Sequence, residues 1–348
     1  MKASILFLFT LLFILPQSYC QNTNYKIRTI AFYNVENLFD TINNPETFDD
    51  DFTGKGRNHY GPTIYWDRID KISNVISKIG YDKTKTSPAI IGLAEVENRT
   101  VLEDLVRSKK LRNKKYQIIH FDSPDIRGID VALLYQEKYF TPINQEKFEI
   151  KLWEDSGKRI YTRDILLVVG LLDNELIYII VNHWPSRRGG QSKSNPKRAK
   201  AAYVTQQIID KIRLDKKDAK IFIMGDFNDD PIDKSLIKGL ISTGDYQYMT
   251  KESLYNPMEK MFNKGLNTLG YRDGLNLFDQ ILMSNPCISL DNKYATFKFY
   301  KAGIFNPHFL ITQQGRYKGY PFRSFEYNSY AGGYSDHFPV YVYIIKEE

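Results

Sequence analysis

The chain has 348 residues, 42% hydrophobic and 26% charged, with a formal net charge of +7. That balance fits a soluble enzyme able to bury a core, and the lack of any repeat or low-complexity tract excludes solenoid and disordered architectures. With two cysteines in the whole chain, a disulfide framework is excluded as well.

Residues 1–20 form a separate object: Lys2, an apolar run from Ile5 to Leu15, Pro16, then Ser18-Tyr19-Cys20 ahead of polar Gln21. About eleven apolar residues are too few to cross a bilayer, so the segment reads as a secretory signal cleaved after Cys20. The rival is a lipoprotein anchor on Cys20, against which stands the Gln-Ser-Tyr preceding it. Cleavage would leave Cys287 as the sole thiol and place a single domain, 21–348, outside the cytoplasm, secreted or periplasmic, stabilised by core burial.

Ile27–Tyr33 is the first predicted strand, and it runs into Asn34 and Glu36. These lie two residues apart, hence on one face of an extended backbone, where both can point toward one ion. Thr41–Tyr65 carries Asp49-Asp50-Asp51, read as a solvated acidic loop with calcium binding as the alternative. Ile69, Ile72, Val75, Ile76 and Ile79 keep helical spacing up to Gly80, a C-terminal cap. Ala89–Ala94 is the next strand and ends at Glu95, followed by a capping box with Thr100 as cap and Glu103 as return acceptor. Arg127 and Asp130 stand at the edge of RGIDVALLY, as a substrate contact or a simple Arg–Asp pair, and Arg163 precedes the strand Ile165–Leu172. That strand and Leu176–Val181 flank Asp173-Asn174, a two-residue hairpin signal, and the second leads into Asn182-His183. Arg187, Arg188, Lys193, Lys197, Arg198 and Lys200 then form a basic loop running into a helix opened by Asn195-Pro196. Such clustered cations attract a polyanion, or make a solvated loop.

IFIMGDFN, Ile221–Asn228, is the most informative stretch: a strand with a buried character stops abruptly and delivers Asp226 and Asn228 in the same alternation as Asn34 and Glu36. Asp229 and Asp230, just beyond, read as solvated turn residues leading into Pro231. LFDQIL places Asp279 on a strand, and GYSDHFPV places Asp336 and His337 beside another. Between them, Asn292–Tyr330 interleaves aromatics such as Tyr317, Tyr320 and Phe325 with Lys and Arg, a pattern that serves either base stacking or packing beneath a long insertion. Strand hairpins mixed with helices argue for two packed sheets with helices outside.

Taken in order, these pieces resemble the endonuclease/exonuclease/phosphatase family, the metal-dependent phosphoesterases that include pancreatic-type deoxyribonuclease and the abasic-site endonucleases, over roughly Ile27–Ile345. The resemblance implies an α+β fold, the DNase I-like four-layer α/β/β/α sandwich. It implies Glu95 and Asp336 as metal ligands, Asn34 as a ligand or ligand-orienting amide, and Glu36 as a second acid or merely a helix-start acid. In the family Asp226 positions or deprotonates the attacking water and Asn228 donates to the scissile phosphate. His337, oriented by Asp279, contacts that phosphate or acts as general base, while His183 protonates the leaving oxygen and Arg163 reaches substrate phosphate. Arg127 matches loosely, and Arg187 and Arg188 are expected to bind substrate through the basic loop. Hydrolysing a phosphodiester needs charge neutralised on phosphorus-bound oxygens and water activated, for which a hard cation held by oxygen ligands serves: magnesium, with manganese or calcium as alternatives.

Leu277, Gln280 and Asp229-Asp230 depart from the pattern of the inositol-phosphate phosphatases and disfavour that branch. The expectation is a secreted magnesium-dependent nuclease acting as a monomer on extracellular DNA or RNA. A same-fold hydrolase of phospholipid or small phosphate esters and a non-catalytic polyanion-binding protein are the alternatives.

Overall fold

The computed structural model describes residues 24–271, 274–289, 291 and 293–348; the expected signal segment with Cys20, and Asn292 at the start of the aromatic insertion, lie outside them. Two sheets dominate. The first has six strands in the order Lys298–Ile304, Val340–Glu347, Tyr25–Leu38, Ile90–Val96, Asp130–Gln136 and Tyr116–His120. The second has seven, in the order Ser242–Thr243, Leu254–Tyr255, Asp279–Ser284, Ile221–Asp226, Glu175–His183, Ile165–Leu172 and Phe140–Phe148.

The period-2 alternation of the strands decides the layering. Ile30 and Phe32 of the first strand pack with Val181, Phe222, Met224 and Ile281 of the other sheet. The intervening Ala31, Tyr33 and Val35 face outward onto Ile69, Ile72 and Val75 of the helix Pro62–Lys78 and Leu102 and Leu105 of the helix Arg99–Arg107. The second sheet likewise turns Ile180, Ile221 and Ile223 outward onto Ala201, Ile208, Ile209 and Ile212 of the helix Gln191–Asp215. Helix, sheet, sheet, helix is therefore the layer order, as the sequence implied. At Gly92 the sheets meet so closely that an added Cβ would lie 2.7 Å from Met224 Sδ.

Local expectations fared unevenly. The hairpin at Asp173-Asn174 forms, with φ of 45° and 67°, the double left-handed geometry of a type I′ turn. Gly80 adopts φ 74° just past the helix end. The capping box does not form: Asn98 caps the helix Arg99–Arg107 by accepting from Val101 N at 3.1 Å, and Thr100 lies inside. The next helix starts at Gln191, not at Pro196. Ser194 Oγ bonds the carbonyls of Gly190 and Gln191 and accepts from buried Arg198, which holds that additional turn in place.

Candidate active site

Strand register brings the predicted residues together. In the second sheet Asp226 pairs across with His183 on one side and Asp279 on the other, a row of three at one sheet end. In the first sheet Asn34 pairs with Ala94, one residue before Glu95, while His337 precedes the strand that begins at Val340. Asp226 is the meeting point. Asn34 Nδ2 donates to its Oδ2 at 3.1 Å, His183 Nε2 stands 3.5 Å away and His337 Nε2 4.0 Å away. His337 Nδ1 donates to Asp279 Oδ2 at 2.7 Å, which turns Nε2 toward the site. Asp336 Oδ1 lies 3.9 Å from His337 Nε2, and Glu95 Oε1 3.8 Å from His183 Nε2.

The backbone is bent to make this possible. Glu36, Asn37, Glu95 and Asn228 all have positive φ, between 50° and 64°, a conformation costly for residues with a Cβ and adopted here near strand ends. Hydrogen bonds hold these kinks: Asn34 Oδ1 accepts from Glu36 N, Glu95 Oε2 from Asn37 N, and Asp226 Oδ1 from Asn228 N. Buried Arg68 supports the first of them by donating to the carbonyls of Val35 and Glu36.

Electrostatics separate the two histidines. Burial and the nearby Arg163, Arg127 and His337 hold His183 well below the ordinary histidine value, so it is neutral. Burial also works against charge on His337, but Asp279, Asp226 and Asp336 outweigh it and hold it well above, as the imidazolium. Burial and the neighbouring Asp336 push Glu36 up to about 7; burial, with Asp279 and Glu95 adding to it, pushes Asp226 up to about 7. Crowded, desolvated carboxylates of this kind are under-neutralised, and a set of Glu and Asp oxygens fits a hard divalent cation.

Beside these groups opens a cavity of about 340 Å³ lined by Glu95, His183, Asp226, Asn228 and His337 and by the cations Arg127, Arg163, Arg188 and Lys197. Arg163 is buried, donating to Asp125 at 3.1 Å and to the Trp184 carbonyl at 2.6 Å; that carbonyl also accepts from Asn228 Nδ2. Arg188 is exposed at the rim. Arg187 is not part of the lining. Its guanidinium is occupied by Asp229, Asp230 and Asp233 and by the Asn228 carbonyl, and lies over the Phe278 ring. Asp229 and Asp230 are accordingly buried, a correction to their reading as solvated turn residues: Asp229 pairs with Arg198 at 2.7 Å, and Asp230 accepts from Leu277 N and Asn276. Arg127 does not pair with Asp130 but stands 3.7 Å from Asp125. Asp130 is bound by His120 at 2.9 Å and by Ser123, and His120, Asp122 and Asp130 form another group of potential cation ligands at the edge of the first sheet.

Sequence reasoning missed Asp125, which anchors Arg163, and Arg323, whose Nε stands 3.5 Å from Glu36 Oε1 while NH2 lies 3.2 Å from Asp336 Oδ2. Ser324 N also donates to Glu36, so this acid is gripped from the insertion. The alternation of cations and aromatics there was the available signal, but it carries no address.

The family described as Endonuclease/Exonuclease/phosphatase family matches residues 29–346. Among solved structures, zebrafish (D. rerio) TDP2 complexed with single strand DNA product is similar at a TM-score of 0.54 and 14% identity, covering 91% of this chain and 98% of that one. The human nocturnin catalytic domain with bound sulfate gives 0.52 and 14%, covering 94% and 98%. A mannosyl-6-phosphatase from Bacteroides thetaiotaomicron gives 0.53 and 16%, covering 91% and 99%. At these identities the likeness is one of fold. No curated protein matches the sequence.

Proposed function

Because the chain belongs to the endonuclease/exonuclease/phosphatase family, whose enzymes are generally divalent-metal dependent, we propose that it is a secreted, magnesium-dependent phosphodiesterase that hydrolyses nucleic acid. The observation that carries the reading is the convergence of Asn34, His183 and His337 on Asp226 at 3.1 to 4.0 Å, at the floor of a cavity rimmed by cations. Glu95 and Asp336, with Glu36 beside them, are the groups that would hold the ion, and when bound it supplies positive charge to the phosphorus-bound oxygens.

The chain's own residues do the rest. Asp226, held in orientation by Asn34 and Asn228 N, aligns the attacking water and takes its proton. His337, kept protonated by Asp279, donates through Nε2 to a non-bridging oxygen as charge develops there. Neutral His183 donates a hydrogen bond through Nε2 to the leaving oxygen, which takes its proton from solvent water as the ester bond breaks. Arg163, Arg188 and Lys197 bind the flanking phosphate. Among the described residues no helix is long and apolar enough to cross a membrane.

The test is to incubate purified protein with plasmid DNA, RNA, sphingomyelin and a phosphomonoester, each with magnesium and with a chelator. Chelator-sensitive cleavage of DNA or RNA, lost in His337→Ala, is the expected result. Cleavage of the lipid or the monoester alone would replace the substrate assignment, and no chelator-sensitive hydrolysis of anything would favour a polyanion-binding protein.

A further inference from the structure

A second cluster of cations lies away from the site. Residues Arg107–Lys115 read RSKKLRNKK, six cations and no acid in nine residues. Arg107, Lys109, Lys110, Arg112 and Lys115 are exposed, and of these only Arg107 has a carboxylate partner among the described residues, Glu103 at 3.1 Å. Lys114 Nζ stands 3.5 Å from Thr86 Oγ1, which sets the loop beside the segment that carries exposed Lys83 and Lys85. The loop is held in shape. Leu111 is buried in the outer core of the first sheet, Leu111 N and Arg112 N donate to the Ser108 carbonyl, and Lys115 turns with φ of 52° into the edge strand Tyr116–His120. A groove of about 290 Å³ follows between that strand and the helix Arg99–Arg107, lined by Arg99, Arg107, Arg112 and Lys115 and by one acid, Glu103, which Arg99 and Arg107 already share.

Strand register fixes where this surface stands. Tyr116 pairs with Gln136, whose neighbour Tyr135 pairs with Ile90, so the loop lies at the end of the Ile90–Val96 strand away from Glu95, about 20 Å along the strands. At its other end the edge strand leads, through residues 121–126, to Arg127 on the lining of the cationic cavity. Clustered like charges repel one another, and Lys109, Lys110, Arg112 and Lys115 neutralise no carboxylate of the fold, so the cluster favours an anion that spans several cations at once. A small phosphate ester cannot reach both this loop and the catalytic groups. A phosphodiester chain can, since a rise of about 3.4 Å per stacked nucleotide covers the distance in roughly six. We infer, on the reading that the protein is a nuclease, that the loop Arg107–Lys115 and the adjoining groove form a second nucleic-acid-binding surface, which holds the strand away from the point of cleavage and makes the enzyme select long substrates.

The experiment uses the full protein and a variant carrying Lys109→Ala, Lys110→Ala, Arg112→Ala and Lys115→Ala together. Cleavage of single strands of about four and about thirty nucleotides is followed in magnesium, and binding of the longer strand and of phosphatidylserine vesicles is measured in chelator. In the variant KM for the longer strand should rise about tenfold with kcat unchanged, the shorter strand should be cleaved as by the parent, and the slope of log binding constant against log salt should fall by about 2.8 for four lost contacts. Equal unfolding midpoints confirm that the variant folds, and Lys109→Arg, Lys110→Arg, Arg112→Lys and Lys115→Arg together should keep the KM of the parent. An unchanged KM for the longer strand, or an equal rise for both lengths, overturns the inference and leaves the nuclease reading intact. Vesicle binding lost in the Ala variant while strand binding is kept overturns it in favour of a membrane surface. A parent protein that cuts neither strand removes the nuclease reading and the inference with it.

Discussion

Asp279 and His337 make the sharpest pair in the molecule, because one hydrogen bond of 2.7 Å decides both the direction of the imidazole and its charge. The carboxylate raises the affinity of the ring for its proton, so activity that needs the imidazolium is lost as pH rises through its folded-state value. Asp279→Asn removes that charge, and the alkaline limb of kcat/KM against pH should move to lower pH than in the parent enzyme. His337→Ala should lower kcat by about a hundredfold or more with the circular dichroism spectrum unchanged. An alkaline limb that stays in place in Asp279→Asn would mean that the limb belongs to another group. Glu97 offers a test of stability instead. Burial, with Asp40 and Asp49 nearby, raises it from 4.5 to about 8. The folded state therefore binds the proton more tightly than the unfolded chain, its contribution is complete below about 4.5, and stability falls as pH rises from there through about 8. Glu97→Gln keeps an acceptor for Asp40 N and removes the charge. Its Tm should exceed that of the parent at pH 8, and the gap should shrink at pH 5; a gap of equal size at both would refute the assignment.

Among the elements, the helix Arg99–Arg107 shows how local signals mislead. Thr100 and Glu103 have the spacing of a capping box, yet Asn98, with φ −154° and ψ 178°, leaves the strand in the extended geometry a cap requires and takes the role. Glu103 pairs with Arg99 and Arg107 along the helix face instead. Asn98→Ala should cost about 1 kcal/mol in urea unfolding and Thr100→Ala only a few tenths; the reverse order would restore the capping box. The strands were legible because alternation and apolar runs are local properties, and so were the positions of Asn34, Glu95 and Asp226, which sit where such runs stop, and of His337, just before one begins. What could not be read is partnership across the fold. Asp229 and Asp230 look like turn residues because nothing in their neighbourhood shows Arg198 or Leu277 N approaching. Arg187 looks like a free cation for the same reason, and Arg323 gives no hint that it lies between Glu36 and Asp336.

At the scale of the whole molecule, the net charge of +7 matters less than where the cations stand. Several of the basic side chains near the site are committed internally: Arg68 to backbone carbonyls, Arg187 and Arg198 to the acids after the Ile221–Asp226 strand, and Arg323 to Glu36 and Asp336. Arg188 and Lys197 remain at the mouth of the cationic cavity. If they contact substrate phosphates, each contact displaces condensed counterions, and kcat/KM for single-stranded DNA should fall with rising salt. Replacing both with Ala should reduce the slope of log kcat/KM against log salt by about 1.4 for two lost contacts on a single strand. The same pair of changes should leave the hydrolysis of a small diester nearly unaffected, since it has no second phosphate to hold. Arg187→Ala, by contrast, should lower the unfolding midpoint and leave the salt slope unchanged, because its charge is spent on Asp229, Asp230 and Asp233 rather than offered to solvent. A salt slope that drops in Arg187→Ala and not in the Arg188 and Lys197 double variant would reverse the assignment of which side of the basic loop meets the polymer.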